Sequence, residues 1–211
     1  MTEKIAVVAA NGREGRLIVE EAVKRGMDVT AIVRGENKTD AQHAIIKDAF
    51  DLTKDDLKGF DAVVDAFGVW DPAKQDETPR LVNLLADLLA GTDTRLLVVG
   101  GAGSLLVPGT DTALADTPDF PDSFKPVAAA AAEALKDLRK RDDVEWTFIS
   151  PAADFQADGP RTGAYQVGGD EMVMDKDGKS EISYADYAIG MVDEIENKDP
   201  HIRERITFAW K

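Results

Sequence analysis

The chain has no cysteine among its 211 residues, which excludes disulfides and thiolate chemistry. Histidine is almost as scarce. His43 and His201 stand far apart and neither has motif neighbours, so a His-based metal site or a Ser-His-Asp triad has no basis and no metal is expected. Positive charge is short as well. There are 25 Lys and Arg against 40 Asp and Glu, a net charge of -15. Such a surface repels phosphate backbones and anionic lipid heads, so neither nucleic acid nor a membrane surface is an expected partner. A phosphate-bearing ligand would have to find a local positive spot on a negative body. No apolar run approaches the roughly 20 residues of a membrane span. Met1-Thr2-Glu3-Lys4 runs straight into apolar sequence without a signal-peptide pattern, and a cytoplasmic location is expected. What is present is ordinary for a globular chain: 44% hydrophobic and 31% charged residues.

Apolar runs alternate with helical spacing. Ile5-Ala6-Val7-Val8-Ala9-Ala10 is a short continuous run, the mark of a strand buried on both faces. Residues 16–25 follow with Leu17, Ile18, Ala22 and Val23 at helical spacing, and Gly26 stands where a helix C-cap belongs. A second strand is expected over 29–33, which completes one βαβ unit. Further strands are expected at 44–46, 62–67, 96–99 and 146–149, with helices over 78–89 and 127–141. The last third reads differently. Met172-Val173-Met174, the turn-forming Asp175-Lys176-Asp177-Gly178-Lys179 and Glu181-Ile182-Ser183 suggest a hairpin. A helix over 184–195 and a strand over 205–208 close the chain. The alternation predicts an α/β fold with a doubly wound parallel sheet of the Rossmann type. It forms one domain over 1–211, with a small C-terminal hairpin and helix on the substrate side.

The turn after the first strand is Ala9-Ala10-Asn11-Gly12-Arg13-Glu14-Gly15. In this fold a dinucleotide's phosphates sit at the N-terminus of the first helix, where backbone N–H groups and the helix dipole favour anions. Glycines are needed for the sharp turn and the close backbone approach. The usual G-x-x-G-x-x-G spacing appears with Ala9 in place of the first glycine. Arg34 closes the second strand, where NAD sites carry an acid for the ribose 2′-hydroxyl. A basic residue there suits a 2′-phosphate, so NADP(H) is expected, with NAD(H) as the alternative. Arg13 could reach the same group, and Lys38 is a further basic candidate. Asp48 and Ala49 are placed to touch the adenine, and Ala66-Phe67-Gly68 to flank the cofactor ribose.

Five segments together resemble a known family. They are the 9–15 loop, Val98-Val99-Gly100-Gly101-Ala102-Gly103-Ser104-Leu105, Trp146-Thr147-Phe148-Ile149-Ser150-Pro151-Ala152, Arg161-Thr162-Gly163-x-Tyr165, and Ile182-Ser183-Tyr184-Ala185-Asp186-Tyr187-Ala188. The chain is similar, nearly end to end, to the NADH-flavin-reductase-like atypical short-chain dehydrogenase/reductases, near their NmrA-like branch. The resemblance implies that Gly100 and Pro151, Ala152 and Ala153 meet the nicotinamide end of the cofactor, and that Ser104 donates to the acceptor. Trp70, Phe155 and Tyr165 could stack on a flat acceptor, and Arg161 could meet an anionic tail.

One departure bears on mechanism. Short-chain dehydrogenases carry a Tyr-x-x-x-Lys pair whose tyrosine protonates a carbonyl oxygen. Here one register gives Phe124 and Ala128, and the other gives Lys125 and Ala129. A ketone would lack a proton donor. A flavin or quinone spreads the incoming charge over a conjugated system that water can protonate. The expected function is therefore an NADP(H)-dependent reductase of a flavin or quinone, with flavin as substrate and not as prosthetic group, acting as a monomer or homodimer. A non-enzymatic NmrA-like sensor that reports the dinucleotide's state to a protein partner is the alternative. A nucleotide-sugar epimerase or dehydratase fits less well, since it too needs the Tyr-Lys pair.

Overall fold

The first apolar run forms β1 (Lys4–Val8), buried except for Lys4. α1 (Arg13–Lys24) starts directly after Gly12, three residues earlier than the spacing suggested, and turns Ile18, Val19 and Ala22 inward. Gly26, in the left-handed region at φ 80°, ends it and releases the chain into β2 (Asp28–Val33). β3 (His43–Ile46), β4 (Ala62–Asp65), α2 (Glu77–Leu89), β5 (Arg95–Val99), α3 (Lys125–Leu138) and β6 (Trp146–Ser150) follow. The remaining elements are β7 (Asp154–Gln156), β8 (Tyr165–Gly168), β9 (Glu181–Ser183), α4 (Tyr184–Glu196) and β10 (Glu204–Trp210). The structure is a computed structural model that describes residues 2–211.

The main sheet has eight strands in the order β3-β2-β1-β4-β5-β6-β10-β8. The strands pair in parallel from β3 to β10, and β8 closes one edge antiparallel to β10. Strand side chains alternate between two cores. Ile5, Val7, Val64 and Leu97 join α1 and α4 on one face. Ala6, Val8, Val63 and Leu96 join α2 and α3 on the other. That is the doubly wound arrangement, with a Rossmann-like strand order. The order reverses between β1 and β4, so a crevice opens beyond Val8 and Asp65.

The expected hairpin did not form as such. Its turn exists: Asp175 N–H donates to Lys179 O at 2.8 Å, and the Asp175 carboxylate accepts from the amides of Asp177 and Lys179. Its two arms do not pair. β9 pairs in parallel with β7, and Met172 N–H donates to Leu106 O at 2.8 Å. Ile182 and Ser183 are fully buried, so the second arm is drawn into the fold instead of back along the first. β7 and β8, each short and flanked by loops, had no periodicity to announce them.

Candidate functional site

The loop after β1 is built on a left-handed residue. Ala9 has φ 57°, where the usual fingerprint carries glycine. Gly12 N–H then donates to Ala9 O at 2.9 Å, closing the turn. Gly12 is the extended N-cap of α1 and offers no side chain to cap it. The first amides of the helix, from Arg13 onward, have no intrahelical acceptor and point out of its positive end. A Cβ on Gly12 would lie 3.1 Å from Ala9 O, and one on Gly15 only 2.6 Å. Gly15 is thus required for the helix to lean on the loop, and at Gly12 a side chain would be tight. A bare, glycine-lined helix start fits a dinucleotide pyrophosphate.

Asn11 has a bridging role. Its Nδ2 donates to Glu36 O and its Oδ1 accepts from Lys38 N–H, both at 2.9 Å. It ties the loop after β2 to the loop after β1. Arg34 lies in that tied segment, exposed, and its guanidinium has no protein partner among the described residues. Arg13 reaches Asp158 at 3.5 Å, but the side chains are 70% and 93% exposed, so the pair binds weakly. Arg16 Nη2 also donates to Asn11 O at 3.4 Å, so Arg13, Arg16 and Arg34 all flank the loop of an otherwise acidic protein.

Asp48 caps the short turn after β3, accepting from Phe50 N–H at 2.9 Å. Ala49 opens that turn, and Phe50 meets Phe67 edge to face at 6.0 Å. Ala66 N–H donates to Val8 O at 3.2 Å, binding the ends of β1 and β4 together. Gly68 follows, leading into the exposed Trp70. Asp65, beside them, is buried and accepts one bond, from Phe67 N–H at 3.0 Å. Burial pushes its carboxyl up to about 7, against the smaller opposing effect of that bond.

Beyond β5, Gly100 N–H donates to Ile149 O at 2.9 Å, and a Cβ on Gly100 would collide with the Phe148 ring. α3 presses on the glycines that follow. A Cβ on Gly101 would meet Ala131 at 3.0 Å, and one on Gly103 would meet Ala128 at 2.6 Å. Ala128 is one of the two positions where the missing lysine would stand. The alanine run of α3 and the glycines after β5 are therefore one packing solution. Phe124, the corresponding aromatic, is half-exposed and meets Trp70 edge to face at 6.3 Å.

Ser104 is held from below. Its Oγ accepts from Arg205 Nη1 at 3.3 Å, and the same buried guanidinium reaches Ser150 Oγ, Ser104 O and Asp170. Pro151 and Ala152 are buried, while Ala153 is exposed and donates its N–H to Ser180 Oγ at 3.2 Å. Phe155 stacks on Tyr184 and Tyr187 at 4.1 and 5.0 Å, and the Tyr187 hydroxyl donates to Ile149 O at 2.6 Å.

Two expected substrate residues are engaged elsewhere. Arg161 donates to Glu21 of α1 at 2.7 Å, and Glu21 is held as well by Arg25. The Tyr165 hydroxyl donates to Asp193 near the end of α4, and Arg25, which caps the end of α1, takes the same carboxylate at 2.6 Å. This network fastens α1 to α4 at the ends of both helices remote from the phosphate loop. Arg161 and Tyr165 are therefore not among the groups gathered at the crevice.

Sequence reading passed over Arg205, Asp65 and the buried side chain of Glu14. A lone charge inside an apolar run, Ala62-Val63-Val64-Asp65-Ala66-Phe67, is the signal that could have marked Asp65, whereas Arg205 follows Arg203 and Glu204 and no local pattern sets it apart. The Arg161-Thr162-Gly163 and Ser183–Asp186 motifs also gain a role. Asp186 accepts from the amides of Thr162 and Gly163 at 2.9 Å and from Trp210 Nε1 at 2.6 Å. Burial would raise its carboxyl, but these bonds outweigh burial and lower it.

A family model described as NAD(P)H-binding matches residues 9–198. A protein from Bacillus subtilis (strain 168), YwnB, itself uncharacterized, is 47% identical over 98% of each chain. A crystal structure from Streptococcus pneumoniae TIGR4, of a protein named as a candidate NADH-flavin reductase, is 56% identical. It covers 99% of this chain and 100% of its own, with a TM-score of 0.96. A Bacteroides thetaiotaomicron structure named as a candidate epimerase is 37% identical over 100% of this chain and 98% of its own, with a TM-score of 0.86. The family model covers the glycine turn from Ala9 onward, the cations that flank it and strands β2 to β9, and on that match the chain belongs to the NAD(P)H-binding family.

Proposed function

We propose that the protein is an NADP(H)-dependent reductase that passes hydride to a flavin or quinone taken up as a substrate. The amides of Arg13, Glu14 and Gly15 would hold the pyrophosphate. Arg34 and Arg13 would meet the 2′-phosphate, Asp48 and Ala49 the adenine, and Ala66, Phe67 and Gly68 the ribose. Gly100 and Pro151, Ala152 and Ala153 would line the nicotinamide end. When bound, the dinucleotide supplies the hydride.

The observation that carries this reading is the packing of α3. A carbonyl reductase needs a positioned proton donor, worth roughly 10²–10⁴-fold in rate. In one register Phe124, turned toward Trp70, stands at the family's donor position and Ala128 packs against Gly103; in the other the positions hold Lys125 and the exposed Ala129. Neither register supplies an ammonium at the lysine position. An acceptor that delocalises its charge needs mainly to be held flat at near-attack distance, about 3–3.5 Å. Trp70 and Phe124 offer an aromatic wall for that purpose. Ser104 accepts from Arg205, which leaves its own hydrogen to orient the acceptor. The pneumococcal relative's name points the same way, while the Bacteroides relative's name suggests epimerisation, whose proton transfers also call for the absent pair.

NADPH oxidation measured with FMN, riboflavin and a panel of quinones tests the proposal. Turnover is expected with one of these acceptors, and simple ketones and aldehydes should react very slowly. Trp70→Ala should mostly raise the acceptor KM, and Ser104→Ala should cost about tenfold, less than loss of an essential acid. Efficient ketone reduction that Ser104→Ala abolishes would overturn the assignment. Tight NADPH binding with no turnover of any acceptor would favour the sensor.

A further inference from the structure

Glu14 is the second residue of α1, in the turn that would carry the pyrophosphate. It is 7% exposed, and neither carboxyl oxygen has a hydrogen-bond partner. An ionised carboxylate in that position is expensive, because nothing replaces the water it loses. The helix dipole favours the charged form at this end, but desolvation is the larger effect. Burial holds the carboxyl well above the usual carboxylate range.

The groups around it do not offset this. α4 presents Tyr184 and Tyr187. Burial first, and then a charge on Glu14, raises both phenols, so neither ionises near neutrality. Arg13, in the same turn, is 70% exposed and directed to Asp158. The core beneath α1 and α4 is apolar and includes Val7, Ala10, Ile149 and Ala152. No cation is bonded to Glu14, and no donor satisfies it.

An acid of this kind adds nothing to stability, yet it lies beside the one place where the fold would receive a diphosphate. We propose that Glu14 is a proton-linked control on dinucleotide affinity: it accompanies bound dinucleotide as a neutral acid, and its ionisation sets a negative charge against the pyrophosphate. This rests on the reading that the phosphates sit at the first turn of α1. Bound diphosphate makes the neutral form still more favourable. Affinity is therefore highest where Glu14 is protonated, and it falls as pH rises, by at most about tenfold per pH unit for one linked proton. Where the free protein is partly ionised, binding takes up a proton.

NADH is the right probe, since it lacks the titrating 2′-phosphate of NADPH. Its Kd is measured by fluorescence from mildly acid to mildly alkaline buffer. Calorimetry in two buffers of different ionisation heat counts the protons exchanged. The wild type should bind more weakly as pH rises and should take up a proton. In an Asp65→Asn background, which removes the other carboxyl that titrates beside the crevice, Glu14→Gln should bind with a flat profile at the background's acid-side affinity and exchange none. A flat wild-type profile without proton uptake would overturn the proposal, as would a Gln variant that keeps the wild-type slope. If Glu14→Gln does not fold, Glu14→Leu replaces it, and the proton count of Asp65→Asn, which keeps Glu14 as the titrating carboxyl, decides by itself. Gly12→Asp separates the two readings. Undiminished NADH binding by this variant would reject the phosphate site itself, whereas loss of binding alongside a flat wild-type profile would reject only the role of Glu14.

Discussion

Ala9 shows how much a single residue can carry. Its φ of 57° places a Cβ where L-residues pay roughly 1–2 kcal/mol, and the turn that needs this conformation is the turn that bares the start of α1. Strain held at a functional loop is a common pattern, since the surrounding packing fixes it. Asp65 is a second residue out of keeping with its surroundings. Its carboxyl ionises near 4 in an unfolded chain and at about 7 when folded. The folded state therefore holds the proton more tightly, and the stability tied to it is full below the unfolded value and lost as pH rises toward 7. We predict that Asp65→Asn, which keeps an acceptor for Phe67 N–H, gains on the wild type over that interval. The gap should level off above it at on the order of 4 kcal/mol. Urea unfolding of both proteins across pH measures the difference. A gap that does not change with pH would mean that Asp65 titrates alike in both states.

Among the elements, α3 is the most constrained. Its register against the segment after β5 is set by alanine against glycine, and that contact leaves no room for one more carbon. Gly103→Ala should cost about 1–3 kcal/mol by overpacking, and it should disturb acceptor turnover as well, because Ser104 is the next residue. Thermal unfolding and the acceptor assay check the two effects together. Loss of neither would show that α3 can slide. α4 is fixed in another way. Ser183 caps it, accepting from Asp186 N–H, and the Asp186 carboxylate then gathers Thr162, Gly163 and Trp210. Here sequence reading recognised the motif as a signature but could not assign its work. The partners lie 23 and 24 residues away, and no local pattern announces a bond across that distance. The hairpin expectation failed for the same reason: the turn at 175–179 is local, whereas the pairing of β9 with β7 is not.

At the scale of the whole molecule, the net charge of -15 makes the cations at the loop stand out. Arg34 opens the segment after β2, which Asn11 fastens to the loop after β1 through Glu36 O and Lys38 N–H. If it holds a 2′-phosphate, Arg34→Glu should weaken NADPH by on the order of 1.5–3 kcal/mol, the value of a charge-assisted bond. NADH should change little. Titration of both dinucleotides against both proteins measures this, and equal affinity of the native protein for the two would remove the NADP preference. No helix among the described residues is long and apolar enough to cross a membrane.

By itself the sequence determined the alternation of strands and helices, the place of the glycine turn that opens α1 and the absence of a Tyr-Lys pair. Each of these is written in neighbouring residues: apolar runs that must be buried on both faces, glycines where the backbone turns, and a helix face repeating every three or four positions. Tertiary structure decided which charged and aromatic groups meet. It drew Tyr165 and Arg161 into the fastening of α1 to α4, set Arg205 beneath Ser104, and buried Glu14 and Asp65 beside the crevice. The reason is that a side chain's partners depend on strand order and on which face of the sheet it points to. Those are fixed only when distant strands pair, and β10, which carries Arg205, lies beside β6 only after the chain has wound around both faces.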